Sequence, residues 1–337
     1  MAYQPAHTRR GFLIGAGQGA AVIAGVTAGI GRARTTRAAS AAVIGYDPVP
    51  CNASPIVAQA QGFFRDEGLD ASLVERHPGL VDLSTGVIDV FTDGVSWGLM
   101  PPLLPSGLSL GDLIVTAVLH RGCFALVVAP DSSVRTLADL RGTSVAGSPY
   151  LWGEQLVYAG LDPAADVTWR PRPPTANALD ALASGSVAAV EVADGWGSPI
   201  ERAGRGRVLT DMDNPPNESD YCCSPIMTAH LVSSDQPKAA AITRALMRGA
   251  VWAETHRVET AGLIGAYMRD DLALGVGSEQ MEAALGMCSF VPAAEAARPI
   301  LVDQFTRYVH FGPGFTRGID ARSVLDAILV PVTGEVG

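Results

Sequence analysis

Residues able to hold a small charged molecule recur just past short apolar runs. Asp47–Ala53 follows the run Ala42–Gly45, and its Pro50, Cys51 and Asn52 lead into Ser54-Pro55. Ser148-Pro149 stands in the same relation to Thr143–Ala146. A serine hydroxyl caps a helix, and proline at the first helical position forfeits no hydrogen bond, so each dipeptide predicts a helix start. The free N–H groups there carry partial positive charge and suit a carboxylate, sulfonate or nitrate. A helix end supplies only about 0.3–1 kcal/mol, or ~2 when partly buried. Micromolar affinity needs about 8 kcal/mol, so other groups must do most of the holding.

Candidate cations near predicted strand ends are His77, Arg121, Arg170 and Arg172. Trp97, Tyr150, Trp152, Trp196 and Tyr221 gather at the same ends and suit an apolar, planar or quaternary-ammonium part of a ligand. Thr92-Asp93 and Asp194 close two further runs, and the two aspartates are a conceivable acid pair. The expected ligand-binding set is Pro50, Cys51, Asn52, Ser54, His77, Thr92, Asp93, Ser148, Tyr150, Trp152, Asp194, Trp196 and Tyr221. The plain alternative is a solvated charge for each cation and a core position for each aromatic. Phosphate-loop and metal-site motifs are absent from the sequence, and no catalytic residue, cofactor or metal is expected.

These residues need elements to position them. Ala42–Gly45 reads as a buried strand. Ile56, Val57, Ala60, Phe63 and Phe64 give the following helix one apolar face, with Gly68 as its left-handed stop. A strand follows at Asp70–Glu75, a helix from Leu80, and strands at Val87–Phe91, Leu113–Leu119 and Cys123–Ala129. The second half repeats the pattern: strand Thr143–Ala146, a helix from Ser148, strand Asp166–Arg170, helix Asn177–Ala183 and strand Val187–Val192. Met227–Val232 reads as a return strand and Pro237–His256 as a long helix.

Met1–Ala41 reads as a targeting segment. Arg9-Arg10 before Gly11-Phe12-Leu13 is a twin-arginine signal, and Ala39-Ser40-Ala41 offers a cleavage site. An exported protein in the periplasm or cell envelope is expected, with an uncleaved N-terminal anchor as the alternative. The segment holds five arginines and no acid, so the remainder carries 19 basic and 34 acidic residues, a formal charge of −15. Such a surface argues against nucleic acid and anionic membranes as partners. About 300 residues exceed one hydrophobic core and predict two lobes. Five cysteines make no disulfide framework, and small buried thiols are expected, with Cys51–Cys123 the first pair to test for a bridge.

Four stretches carry a resemblance. Ala58, Gly62, Phe64, Glu67, Gly68 and Leu69 within ASPIVAQAQGFFRDEGLD resemble the helix that follows the first strand in nitrate/sulfonate/taurine-type periplasmic solute-binding proteins. Gly86-Val87-Ile88-Asp89-Val90 and the run Asp131–Gly142 before Thr143 resemble later segments of that group, as does Ala181–Ala189. The resemblance covers most of residues 42–256 and implies a bilobal α/β fold of the periplasmic-binding-protein type (type II), with the ligand cleft between two lobes. It implies lobe one from 42–128 plus 232–337 and lobe two from 129–231. It implies a monomeric protein that delivers a small anionic or zwitterionic organic solute to the membrane permease and ATPase of an ABC importer. Thiamine-pyrimidine synthases are similar to this group, and Tyr221-Cys222-Cys223-Ser224 resembles their cysteine-rich segment. That implies a rival reading as an enzyme on the same scaffold, against which the export signal and the short Cys-Cys run speak. A ligand-sensing module for a membrane receptor is the third reading.

Overall fold

The apolar runs build two five-stranded sheets of matching design. The computed structural model describes residues 39–76, 79–96, 107–312 and 318–334. The strands, in chain order, are β1 (Ser40–Tyr46), β2 (Leu69–Glu75), β3 (Val90–Gly94), β4 (Leu113–Val115), β5 (Arg121–Gly122), β6 (Ala125–Val128), β7 (Thr143–Ala146), β8 (Val167–Arg170), β9 (Ala189–Val192), β10 (Arg207–Asp211), β11 (Cys223–Thr228) and β12 (Cys288–Ser289). The first sheet has the order β2-β1-β3-β11-β4 and the second β10-β6-β9-β7-β8. Each holds a parallel trio, β2-β1-β3 or β8-β7-β9, extended by an antiparallel pair. Ile44, Val90, Val145 and Val190 are fully buried, as apolar residues of strands covered on both faces should be.

The helices, again in order, are α1 (Ala53–Ala60), α2 (Phe63–Asp66), α3 (Leu80–Ser84), α4 (Pro149–Tyr158), α5 (Ala178–Ala183), α6 (Gly197–Arg202), α7 (Ala229–Ser234), α8 (Gln236–Thr255), α9 (Arg257–Ile264), α10 (Ser278–Leu285), α11 (Arg298–Phe311) and α12 (Ala321–Ile328). The helix expected to run unbroken from Ser54 to Gly68 is two helices. Gly62 takes a left-handed φ of +74°, which ends α1 and restarts the chain as α2. The return strand is Cys223–Thr228 rather than Met227–Val232: the Thr228 hydroxyl accepts from Leu231 N (3.2 Å) and starts α7 there.

Sheet membership shifts the expected lobe limits. β6 joins the second sheet and β11 the first, so the chain passes between sheets at 122–125 and 211–223. The C-terminal part also does not stay with the first sheet. Helix α11 packs on α4, with the Phe311 ring where a β-carbon on Gly153 would lie (2.5 Å). The chain then returns through α12 to β4, where Val330 N donates to Val115 O (3.0 Å). Leu113–Leu119 yields only the three-residue β4. Its continuation turns into the passage between sheets, where Leu119 N donates to Cys223 O (2.8 Å).

The twin-arginine motif lies outside the described residues. Ser40 and Ala41, inside the expected cleavage site, belong to β1 and pair with Leu69 and Asp70. Among the described residues no helix is long and apolar enough to cross a membrane.

Helix α8 lies against α1 so closely that a β-carbon on Gly249 would meet Ser54 O at 2.3 Å and Ala58 Cβ at 3.2 Å. An ordinary mid-helix glycine gains about 1 kcal/mol on replacement by alanine. Gly249→Ala is expected instead to destabilise the protein by about 1–3 kcal/mol, because backbone must move to admit the methyl group. Urea unfolding measures this; a more stable variant contradicts the packing described.

Candidate functional site

The carboxyl ends of the two parallel trios face each other where the chain passes between sheets. On the first side, β1 leads through Asp47 to a 3-10 turn, Pro50–Asn52, and then α1. Asn52, not Ser54, is the cap residue of α1, and its amide donates to Asp47 O (3.3 Å) rather than to the helix. Ser54 is the second residue of the first turn. Its Oγ and Asn52 Oδ1 are buried with no hydrogen-bond partner among the described residues, as is Thr92 Oγ1 on β3. Asp93 is half-buried and accepts from Gly94 N (2.6 Å).

On the second side, Ser148 takes the cap position of α4, but its hydroxyl makes no cap bond and the helix end is already occupied. Glu191, fully buried on β9, accepts from Ser148 N (2.7 Å), Ser148 Oγ (3.2 Å) and Trp152 Nε1 (3.0 Å), and Arg172 Nε lies 3.4 Å away. An internal carboxylate thus takes the place proposed by sequence for a ligand anion. Trp152 is consequently a core residue, 0% exposed, and Trp196 is likewise buried at 1%. Burial raises the Glu191 pKa, opposed by Arg172 and the bonds to Trp152 and Ser148.

The two sides touch through Cys51, whose Sγ donates to Asp194 Oδ1 (3.5 Å). Asp194 follows β9 with φ +67°, and a β-carbon on the next residue, Gly195, would meet Ala284 O at 2.5 Å. This tight turn over α10 aims the carboxylate back at the junction. Asp194 therefore meets a thiol, whereas the sequence paired it with Asp93.

Tyr150 and Tyr221 wall a cavity of about 30 Å³ together with Phe124, Tyr308, Cys222 and Gly94, room for about one water. The Tyr150 and Tyr308 rings stand 5.1 Å apart at 62°. Burial and then the Glu191 charge push the Tyr150 hydroxyl up to about 12. Arg121 lies over the Tyr221 ring (4.8 Å) and donates to its hydroxyl (3.1 Å). Arg170 and Arg172 are exposed. His77 and Trp97 lie outside the described residues.

Sequence reasoning missed a sulfur cluster beside this junction. Cys123 Sγ and Cys222 Sγ are 3.1 Å apart, Cys51 and Cys223 3.8 Å, and Cys222 and Cys223 3.9 Å. All five cysteines are free and buried. Fully buried His120 stands within 4.8 Å of Cys51 with Cys223 and of Cys123 with Cys222, and its Nε2 has no partner among the described residues. Such soft donors could hold a zinc-like ion, although no motif spacing announces them. The missed Glu191 had one signal, a lone charge inside the run Ala189–Val192.

Burial and the nearby Cys123 raise the Asp194 pKa to about 7, with Arg172 and Cys51 opposing and Asp47 adding to the rise. The unfolded value is about 4. The folded protein therefore holds this proton more tightly, and the stabilisation is complete below about pH 4 and lost as pH rises toward about 7. Asp194→Asn is expected to flatten that part of the melting-temperature curve between pH 4 and 8. Parallel melting scans check it; an unchanged slope contradicts the assignment.

The chain matches the family model described as the NMT1-like family over residues 36–265. Comparison with curated proteins finds no match. The alkanesulfonate-binding protein SsuA from Xanthomonas axonopodis pv. citri, bound to MOPS, is similar at TM-score 0.64 and 22% identity, covering 86% of this chain and 98% of that one. The periplasmic nitrate-binding protein NrtA from Synechocystis PCC 6803 is similar at TM-score 0.65 and 14% identity, covering 86% of each chain. The desulfurization enzyme DSZB is similar at TM-score 0.52 and 19% identity, covering 86% of this chain and 94% of that one. At these identities the likeness concerns the fold, which is that of the periplasmic binding proteins.

Proposed function

This chain belongs to the NMT1-like family, and from that premise we propose that it is the solute-binding component of an ABC importer, working outside the cytoplasm. The observation that carries the reading is the meeting of both sets of strand ends at the Cys51–Asp194 contact, where open α/β sheets bind ligands. A cavity of about 30 Å³ admits no organic solute, so this form is the closed one, and capture requires the sheets to part. The exported location follows from Arg9-Arg10, and the partners are a membrane permease and an ATPase; the binding protein itself acts as a monomer.

The charges at the junction favour a zwitterion over a bare anion. The α4 end is filled by Glu191, and Asp194 adds a further acid. An anionic end fits the α1 N-terminus, where the buried Ser54 hydroxyl, a possible donor, lacks a partner among the described residues. A cationic or apolar end fits the faces of Tyr150, Tyr221 and Tyr308. We read the protein as a binder and not as an enzyme.

Mass spectrometry of small molecules released on denaturing the purified protein identifies the solute, and calorimetry on stripped protein measures its return. One solute per chain is expected. At 100 times its dissociation constant it should stabilise the fold by about 2.7 kcal/mol. Tyr150→Ala should weaken binding about tenfold or more while the protein stays folded. Unchanged affinity in that variant moves the solute away from the tyrosines, and failure of the stripped protein to rebind anything it released contradicts the function.

A further inference from the structure

We propose that Cys123 and Cys222 form a redox site, a dithiol that oxidises to a disulfide bridging two passages of chain between the sheets. Their sulfurs, 3.1 Å apart, are closer than Cys51 to Cys223 (3.8 Å) or Cys222 to Cys223 (3.9 Å). A disulfide brings the two sulfurs to about 2.05 Å. The two residues flank an isolated antiparallel bridge between Arg121 and Tyr221. Cys222 N donates to His120 O (2.9 Å).

The backbone at Cys123 supports the assignment independently. Its φ of +82° lies in the left-handed region, which glycine occupies at no cost and side-chain-bearing residues avoid. The conformation is clamped on both sides, by Cys123 N donating to Met287 O (2.8 Å) and by Gly195 N donating to Cys123 O (2.9 Å). Glycine would serve that geometry better. A cysteine there accepts the strain and places sulfur against Cys222.

Once the sheets part, Cys222 is the attacking thiol, because it lines the small cavity between them while Cys123 is 1% exposed. The oxidant is a low-molecular-weight disulfide. Cys222, as thiolate, attacks one sulfur of that disulfide and expels the other half as a thiol. Cys123, as thiolate, then attacks the Cys222 sulfur of the mixed disulfide and expels the second thiol. The two protein thiols lose two electrons and two protons, and the oxidant gains both. The bridge closes a loop containing the whole second sheet, so the oxidised protein should resist heat better than the reduced one. This site does not depend on the solute proposed above.

Full-length protein, reduced and then treated with oxidised glutathione, is denatured and its free thiols counted. The count should fall from five to three. Digestion without reductant should yield the Cys123–Cys222 peptide pair, and the melting temperature should rise by several degrees and fall again with reductant. Cys222→Ser should keep four free thiols after treatment and Cys123→Ser three, with one glutathione bound, whereas Cys288→Ser should fall from four to two. Five thiols after oxidation, a bridge between Cys51 and Cys223, or one equivalent of metal bound with every thiol retained would each overturn the proposal.

Discussion

Three short segments packed side by side carry the chain through the junction between the sheets. β5 pairs with β12, Cys288 opposite Gly122, while Arg121 bridges Tyr221 on its other side. The buried amide of Gln304 on α11 clips the middle of this arrangement, accepting from Tyr221 N (3.0 Å) and donating to Tyr221 O (2.7 Å). A buried glutamine that satisfies both backbone groups of one residue fixes that residue's direction at low cost. The positions of Cys222, Cys223 and the Tyr221 ring all follow from that clip. Thus the junction is defined by backbone pairing, and the side chains of the site are attached to it.

A second consequence concerns charge. The two helix ends look alike in sequence but differ chemically. Glu191 points from β9 into the start of α4, where it neutralises the dipole and locks Trp152. At the start of α1, by contrast, the buried Ser54 hydroxyl has no hydrogen-bond partner among the described residues. The site is consequently asymmetric, receptive to negative charge on one wall and acidic and aromatic on the other. Neighbours that share the fold include an alkanesulfonate-binding protein, a nitrate-binding protein and a desulfurization enzyme. Fold alone therefore leaves the ligand open, and the residues at this junction must decide it.

Much of the architecture was legible because local rules dominate it. Strand Thr143–Ala146 lies where the sequence places it, and Pro149 begins α4 directly after Ser148. Ser54-Pro55 misled because proline is tolerated throughout a first helical turn, and the preceding 3-10 turn moved the cap to Asn52. The aromatics could not be sorted by type: tryptophan suits a core and a ligand wall equally, and only the Glu191 bond shows Trp152 to be core. The sulfur cluster was hidden by distance along the chain. Cys123 and Cys222 are 99 residues apart, and Cys51 and Cys223 are 172 apart. Their meeting depends on which strand returns beside which, and β11 was placed some four residues late.

The central claim is that the two sheets part and close around a solute held where their strand ends meet. Closure needs a solute that binds the closed form better than the open one. Small-angle scattering of stripped protein, with and without the solute it releases, tests this directly. The account requires the radius of gyration to fall at saturating solute while the helix and strand content stays unchanged. Identical scattering curves at a saturation proven by calorimetry would contradict it.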